Sequence, residues 1–203
     1  MLKYFLILLI LGGLEKVYSH PHAWIDMDTS IQFDGEGLVT GLRVGWLFDD
    51  FYSIYTLDGQ KPTFEVLQAL GIETLRNIRG YSYYTHIYVN NSPAEITEVS
   101  DYTSTFIDGR WRLEFLVSLH EKVDLAENEV YYQVYDPTYY VEILHKEGRK
   151  SISLEKQADI SFNITSPKPP KNMILLAAAL DFGQKTDEVL GKYFAETVTL
   201  SCP

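Results

Sequence analysis

Apolar and polar residues alternate in many short segments along this chain, and the segments are rich in Tyr, Val, Ile and Phe. Turn-forming Gly, Asp, Asn and Pro punctuate them. A period of two bounded by such residues predicts strands, so the fold class is mainly β with added helix (α+β). A helical stripe near 62–78 and two short apolar helical patterns near the C-terminus complete the expectation. It is one β-sandwich-like domain of antiparallel strands with a helical insertion and short C-terminal helices.

Taken in order, the chain opens with MLK, then YFLILLILGGL, then EKVYS. A cationic start, a short apolar run and small residues, Val17 and Ser19, before His20 predict a signal peptide over residues 1–19. The run is shorter than the roughly 20 apolar residues that a bilayer-spanning helix needs. Residues 20–203 then form a single exported, periplasmic domain with no stable membrane insertion after cleavage.

From His22 the chain alternates, with His22, Trp24, Asp26 and Asp28 on one face and Ala23, Ile25, Met27 and Thr29 on the other. FDGEGLV (33–39) carries turn chemistry, and TGLRVGWLF reads as the return strand of a hairpin. DDFYSIYTLD (49–58) reads as a helix or loop. Thr63 caps FEVLQALGIETLRNI, in which Phe64, Leu67, Leu70, Leu75 and Ile78 form the stripe. Strands are predicted at SYYTHIYVN (82–90), YTSTFID (102–108), WRLEFLVSL (111–119), EVYYQVYD (129–136), YYVEILH (139–145) and ADISFNI (158–164). SPKPPK is a break, and ILLAAAL and DEVLGKYF read as the two short helices before TVTLSCP.

Composition narrows the function. The formal charge is −11, and cleavage before His20 removes Lys3, Lys16 and Glu15 to leave −12. Such a balance repels phosphate backbones and argues against nucleic acid as a partner. The single cysteine, Cys202, excludes an internal disulfide and any multi-cysteine metal site. No nucleophile elbow, HExxH, Walker loop or dinucleotide fingerprint occurs, so the sequence predicts no enzyme. LDGQKPTFE (57–65) lacks the carboxylate spacing of an EF-hand loop.

The chemistry concentrates in His20-Pro21-His22. With His20 first in the exported chain, its α-amine and Nδ1 can close a six-membered chelate, and His22 can add a third nitrogen. Such donors suit Ni, Co, Zn or Cu ions rather than Ca or Mg. Pro21 has no N–H to surrender, so a square-planar site built from deprotonated backbone amides is closed and side chains from elsewhere must complete the shell. Asp26, Asp49 and Asp136 are the foremost further candidates, with Asp50, His86, His120 and His145 behind them. His86 reads as packed or on the surface, His120 and His145 as solvated strand ends, and YDPTYYVEI as a structural turn between strands.

HPHAWID, GWLFDDFYS (45–53), GYSYYT (80–85), YDPTYYV (135–141) and the terminal Cys-Pro resemble one bacterial periplasmic family, domain-of-unknown-function family 1007. Its members are often labelled an uncharacterised ABC-type transport system periplasmic component. The resemblance runs from His20 to Pro203. It implies an exported protein whose relatives are often encoded beside, or fused to, nickel/cobalt-type permeases, which makes a metal-ion permease the expected partner. The acidic stretch that many relatives carry after the Trp-x-Phe-Asp segment is reduced here to LDGQKPTFE, so no calcium role is carried over. The alternative expectation is an extracytoplasmic interaction module that docks on a permease without metal.

Overall fold

A computed structural model describes residues 21–146, 148–154, 160–180 and 189–202. His20, the expected signal peptide over 1–19 and the first residues of two expected elements, 158–159 and 187–188, lie outside the described residues.

The alternating stretch after His22 forms β1 (Ala23–Phe33), whose Ala23, Ile25, Met27, Thr29 and Ile31 are buried while Trp24, Asp26 and Asp28 face outward. The 34–38 turn closes because Asp34 accepts the N–H groups of Glu36 and Leu38, and it leads into β2 (Val39–Phe48). Two helices follow, α1 (Asp50–Leu57) and α2 (Phe64–Ile78). Asp49 caps the first and Thr63 the second, each accepting an amide from the first turn. Then come β3 (Thr85–Val89), β4 (Ser92–Pro93), β5 (Tyr102–Ile107), β6 (Arg110–Val123), β7 (Val130–Val134), β8 (Val141–His145), β9 (Ile152–Leu154) and β10 (Ser161–Thr165). α3 (Lys171–Ala179), a 3-10 turn at Leu190–Phe194 and β11 (Thr197–Ser201) end the chain.

These strands make two sheets. One runs β5-β6-β2-β1-β8, with β9 beyond β8 on the same edge of β1; the other runs β10-β11-β7-β3-β4. Val44, Trp46, Leu113, Phe115 and Val117 from the first sheet and Ile87, Val130, Tyr132, Val198 and Leu200 from the second share one buried cluster, the interior of a sandwich. The mainly β, α+β expectation therefore holds.

Two expectations of the strand reading fail. Pairing is not wholly antiparallel, because β8 and β9 both run parallel to β1. Residues 82–84 do not begin a strand: Arg79–Tyr84 is a 3-10 turn in which Ser82, Tyr83 and Tyr84 have φ of 54°, 53° and 57°. Tertiary contacts hold this left-handed run. Tyr83 is buried, its hydroxyl takes the Val99 N–H at 3.2 Å, and its carbonyl accepts the Thr85 hydroxyl at 3.1 Å.

Candidate functional site

The parallel pairing decides where the site residues meet. β1 and β8 start side by side, with Ala23 opposite Val141. Phe48 at the end of β2 lies opposite Ile25, and Thr85 at the start of β3 lies opposite Val134 at the end of β7. Residues 21–24, 48–50, 84–85 and 134–141 therefore gather at one end of the sandwich.

His22 is tied into this end through backbone and ring. Its N–H donates to the Tyr140 carbonyl at 2.8 Å, its ring lies 4.9 Å from that of Tyr140, and its Nε2 is screened from solvent. Asp49 joins two elements: Oδ1 accepts the Tyr52 N–H at 2.8 Å as the helix cap, and Oδ2 accepts the Trp24 N–H at 2.9 Å. Its own N–H returns to the Trp24 carbonyl at 2.9 Å. An ionised carboxylate has about four lone-pair sites, so both oxygens retain accepting capacity.

Asp136 is 2 % exposed and organises the YDPTYY loop. Its carboxylate accepts the N–H groups of Thr138 and Val141 and the Thr138 hydroxyl. Tyr139, at φ 59°, returns its N–H to the Asp136 carbonyl. Burial first, and then the charge of Asp136, drive the Tyr84 phenol well above its ordinary value. Asp26 shares the outward face of β1 with His22 and Trp24, but its Oδ2 holds Arg110 Nη1 at 2.8 Å, with Lys146 Nζ at 3.9 Å. Asp50 meets the same guanidinium at 3.7 Å. His22, Asp49 and Asp136 are thus brought to one end, with Asp26 just inside it and neutralised. Among the described residues, no group of three or more His, Cys, Asp and Glu side chains is placed to hold a metal.

His145 does not sit at a solvated strand end. Its side chain is 1 % exposed, and it closes a buried chain across the two sheets: Glu196 Oε2 to His145 Nδ1 at 2.8 Å, His145 Nε2 to Thr29 Oγ1 at 3.1 Å, and Thr29 Oγ1 to Tyr132 hydroxyl at 2.7 Å. An acid, an imidazole and a hydroxyl in series resemble a nucleophile triad, and with Thr29 and His145 buried and Glu196 partly so, the series ties the two sheets together as a clasp. The signal was present in the sequence: His145 is in phase with buried Ile143, and Thr29 with buried Met27 and Ile31. Burial raises the Glu196 carboxyl, but hydrogen bonds from the ring and backbone N–H of His145 outweigh it and leave it below its ordinary value.

Of the other two histidines, one borders this end and one lies far from it. His86 stacks on Tyr135 with centroids 4.2 Å apart, and burial, aided by the Lys192 charge, pushes its imidazole down to about 4. His120 is exposed in β6, at the rim of an open pocket of about 520 Å³ lined by Val89, Glu95, Lys122 and Asn128. That cavity is at the opposite end of the sandwich and brings no donor toward His22.

The architecture is that of a small two-sheet sandwich whose decorated end carries Pro21 and His22. A family model described as "Protein of unknown function (DUF1007)" matches residues 5–202, and the chain belongs to that family. It is also similar to an "Uncharacterized protein" of Haemophilus influenzae (strain ATCC 51907 / DSM 11121 / KW20 / Rd), 27 % identical over 192 residues that cover 92 % of each chain. The resemblance read from HPHAWID and YDPTYYV holds.

Proposed function

We propose that this is a periplasmic accessory protein of transition-metal transport. It binds Ni, Co, Zn or Cu ions through the amine and imidazole of a freed His20 together with His22, and serves a nickel/cobalt/zinc-type membrane permease. The observation that carries the reading is the anchoring of His22. Its backbone bond and ring contact with Tyr140 fix it at the loop-bearing end, beside the turn that Asp136 braces. Covalent geometry keeps residue 20 within about 7 Å of that point.

The described residues fit a partial donor set and no more. His22 supplies one imidazole, Asp49 has accepting capacity left, and Asp136 holds the loop rather than facing a ligand. Arg110 competes for Asp26. The site therefore depends on the two nitrogens of His20. Bound there, the ion would be held for transfer, and the role is binding rather than catalysis.

The test begins with N-terminal sequencing of the exported protein, expected to start at His20. Calorimetric titration of that chain with Ni(II) and Zn(II) should give about one site, and His20→Ala or His22→Ala should each weaken it at least about tenfold. A different first residue, or no metal uptake by a chain that does begin at His20, would reject the proposal.

A further inference from the structure

α1 wears its apolar stripe on the outside. Phe51, Ile54 and Tyr55, at i, i+3 and i+4, are 77 %, 66 % and 71 % exposed, while Ser53 and Leu57 on the opposite side are buried. The stripe does not stand alone. Trp24, 50 % exposed, is bonded through its backbone to Asp49 at the start of the same helix, and Phe51 stacks on Tyr55 with centroids 6.4 Å apart. Tyr140 lies near Tyr55, and it contacts the His22 ring. Large exposed apolar side chains thus gather around the start of α1 in a protein with a formal charge of −11.

We infer that this corner, Trp24 with Phe51, Ile54 and Tyr55, is a peripheral contact for the lipid–water interface of a membrane. Three observations favour lipid over a protein groove or a second copy. The chain enters the domain at Pro21, directly beside the corner, and the apolar run Tyr4–Leu14 precedes it. Seven residues separate Leu14 from His22, at most roughly 28 Å of extended chain from one to the other. Before cleavage, a leader seated in the bilayer would keep this corner within that distance of the membrane surface. The residue types match as well, since Trp and Tyr settle at headgroup level and Phe and Ile reach below it. The attraction is apolar rather than electrostatic: among the described residues the corner contains no Lys or Arg, and nearby Arg110 is engaged by Asp26 and Asp50. The inference does not depend on metal binding, and after leader cleavage the same contact would keep the domain close to a permease.

The sequence offers an internal reporter. Of its three tryptophans, Trp46 and Trp111 are 1 % exposed, so any emission change on membrane contact belongs to Trp24. Every strand and helix of the described fold lies within residues 23–201, so a chain beginning at His20 retains them all. That chain is mixed with phosphatidylcholine vesicles and followed by flotation and by tryptophan emission. The expected result is flotation that is insensitive to salt, with a blue shift. In the Phe51→Ser/Ile54→Ser/Tyr55→Ser variant, the floated fraction should fall at least about tenfold with the circular dichroism spectrum unchanged. Failure of the parent chain to float, equal flotation of the variant, or a requirement for anionic lipid would overturn the inference. So would a parent dimer in sedimentation that the variant abolishes, because the stripe would then be an interface between copies. A variant that no longer floats yet still takes up metal separates this outcome from that of the metal site.

Discussion

Ser53 shows how closely single residues set this end of the molecule. It is fully buried, its hydroxyl donates to the Asp49 carbonyl at 2.6 Å, and it accepts the Trp111 N–H at 2.9 Å. Ser53→Ala would leave that buried N–H without its acceptor, and urea unfolding should show a loss of about 1–3 kcal/mol. Glu196 gives a pH signature. Its folded carboxyl lies below the ordinary 4.5, so its stabilisation is present above that value and is lost as pH falls through the lowered one. Glu196→Gln should cost about 2 kcal/mol at pH 7 and flatten the acid limb of a stability–pH curve. An unchanged acid limb would mean that the clasp with His145 contributes nothing. Asp49 and Asp26 stood out in the sequence as carboxylates near a histidine pair, and the Asp49 cap on Tyr52 is local, but the bonds of Asp49 to Trp24 and of Asp26 to Arg110 reach 25 and 84 positions away, respectively. Spacing along the chain cannot reveal that.

At the scale of elements, local periodicity carried most of the information, and it failed where tertiary packing overrode it. α2 was legible from its stripe and its Thr63 cap, yet the buried line runs through Leu67, Gly71, Leu75 and Ile78, with Phe64 72 % exposed. Gly71 lets the helix close onto β5: a Cβ there would sit 3.0 Å from Ser104 Cβ and 3.1 Å from Tyr102. Aromatic content suggested a strand at 82–84, but buried contacts of Tyr83 hold that segment in a left-handed turn. The C-terminal 3-10 turn docks on the YDPTYY loop through Gly191, whose N–H reaches the Pro137 carbonyl at 3.2 Å. An added Cβ would fall on the Asp136 carbonyl. Gly191→Ala should therefore loosen this loop, visible as faster amide exchange at Thr138 and Val141, whereas unchanged exchange would show that the contact is dispensable.

At the scale of the whole molecule, the class of fold could be read from alternation, but the order of strands could not. β8 joins β1 in parallel across more than a hundred residues, and no local signal specifies that partner. Yet this pairing carries the YDPTYY loop to His22 and so creates the candidate site. The same end bears the exposed corner of α1, which places the proposed metal grip and the proposed membrane contact on one side of the sandwich. The account is most directly tested by titrating Ni(II) or Zn(II) into two forms of the chain that starts at His20, one with a free terminal amine and one acetylated. A chelate that uses the amine predicts about one ion per free chain and an affinity at least about tenfold weaker after acetylation. Equal affinities for the two forms, or no binding by the free form, would contradict it.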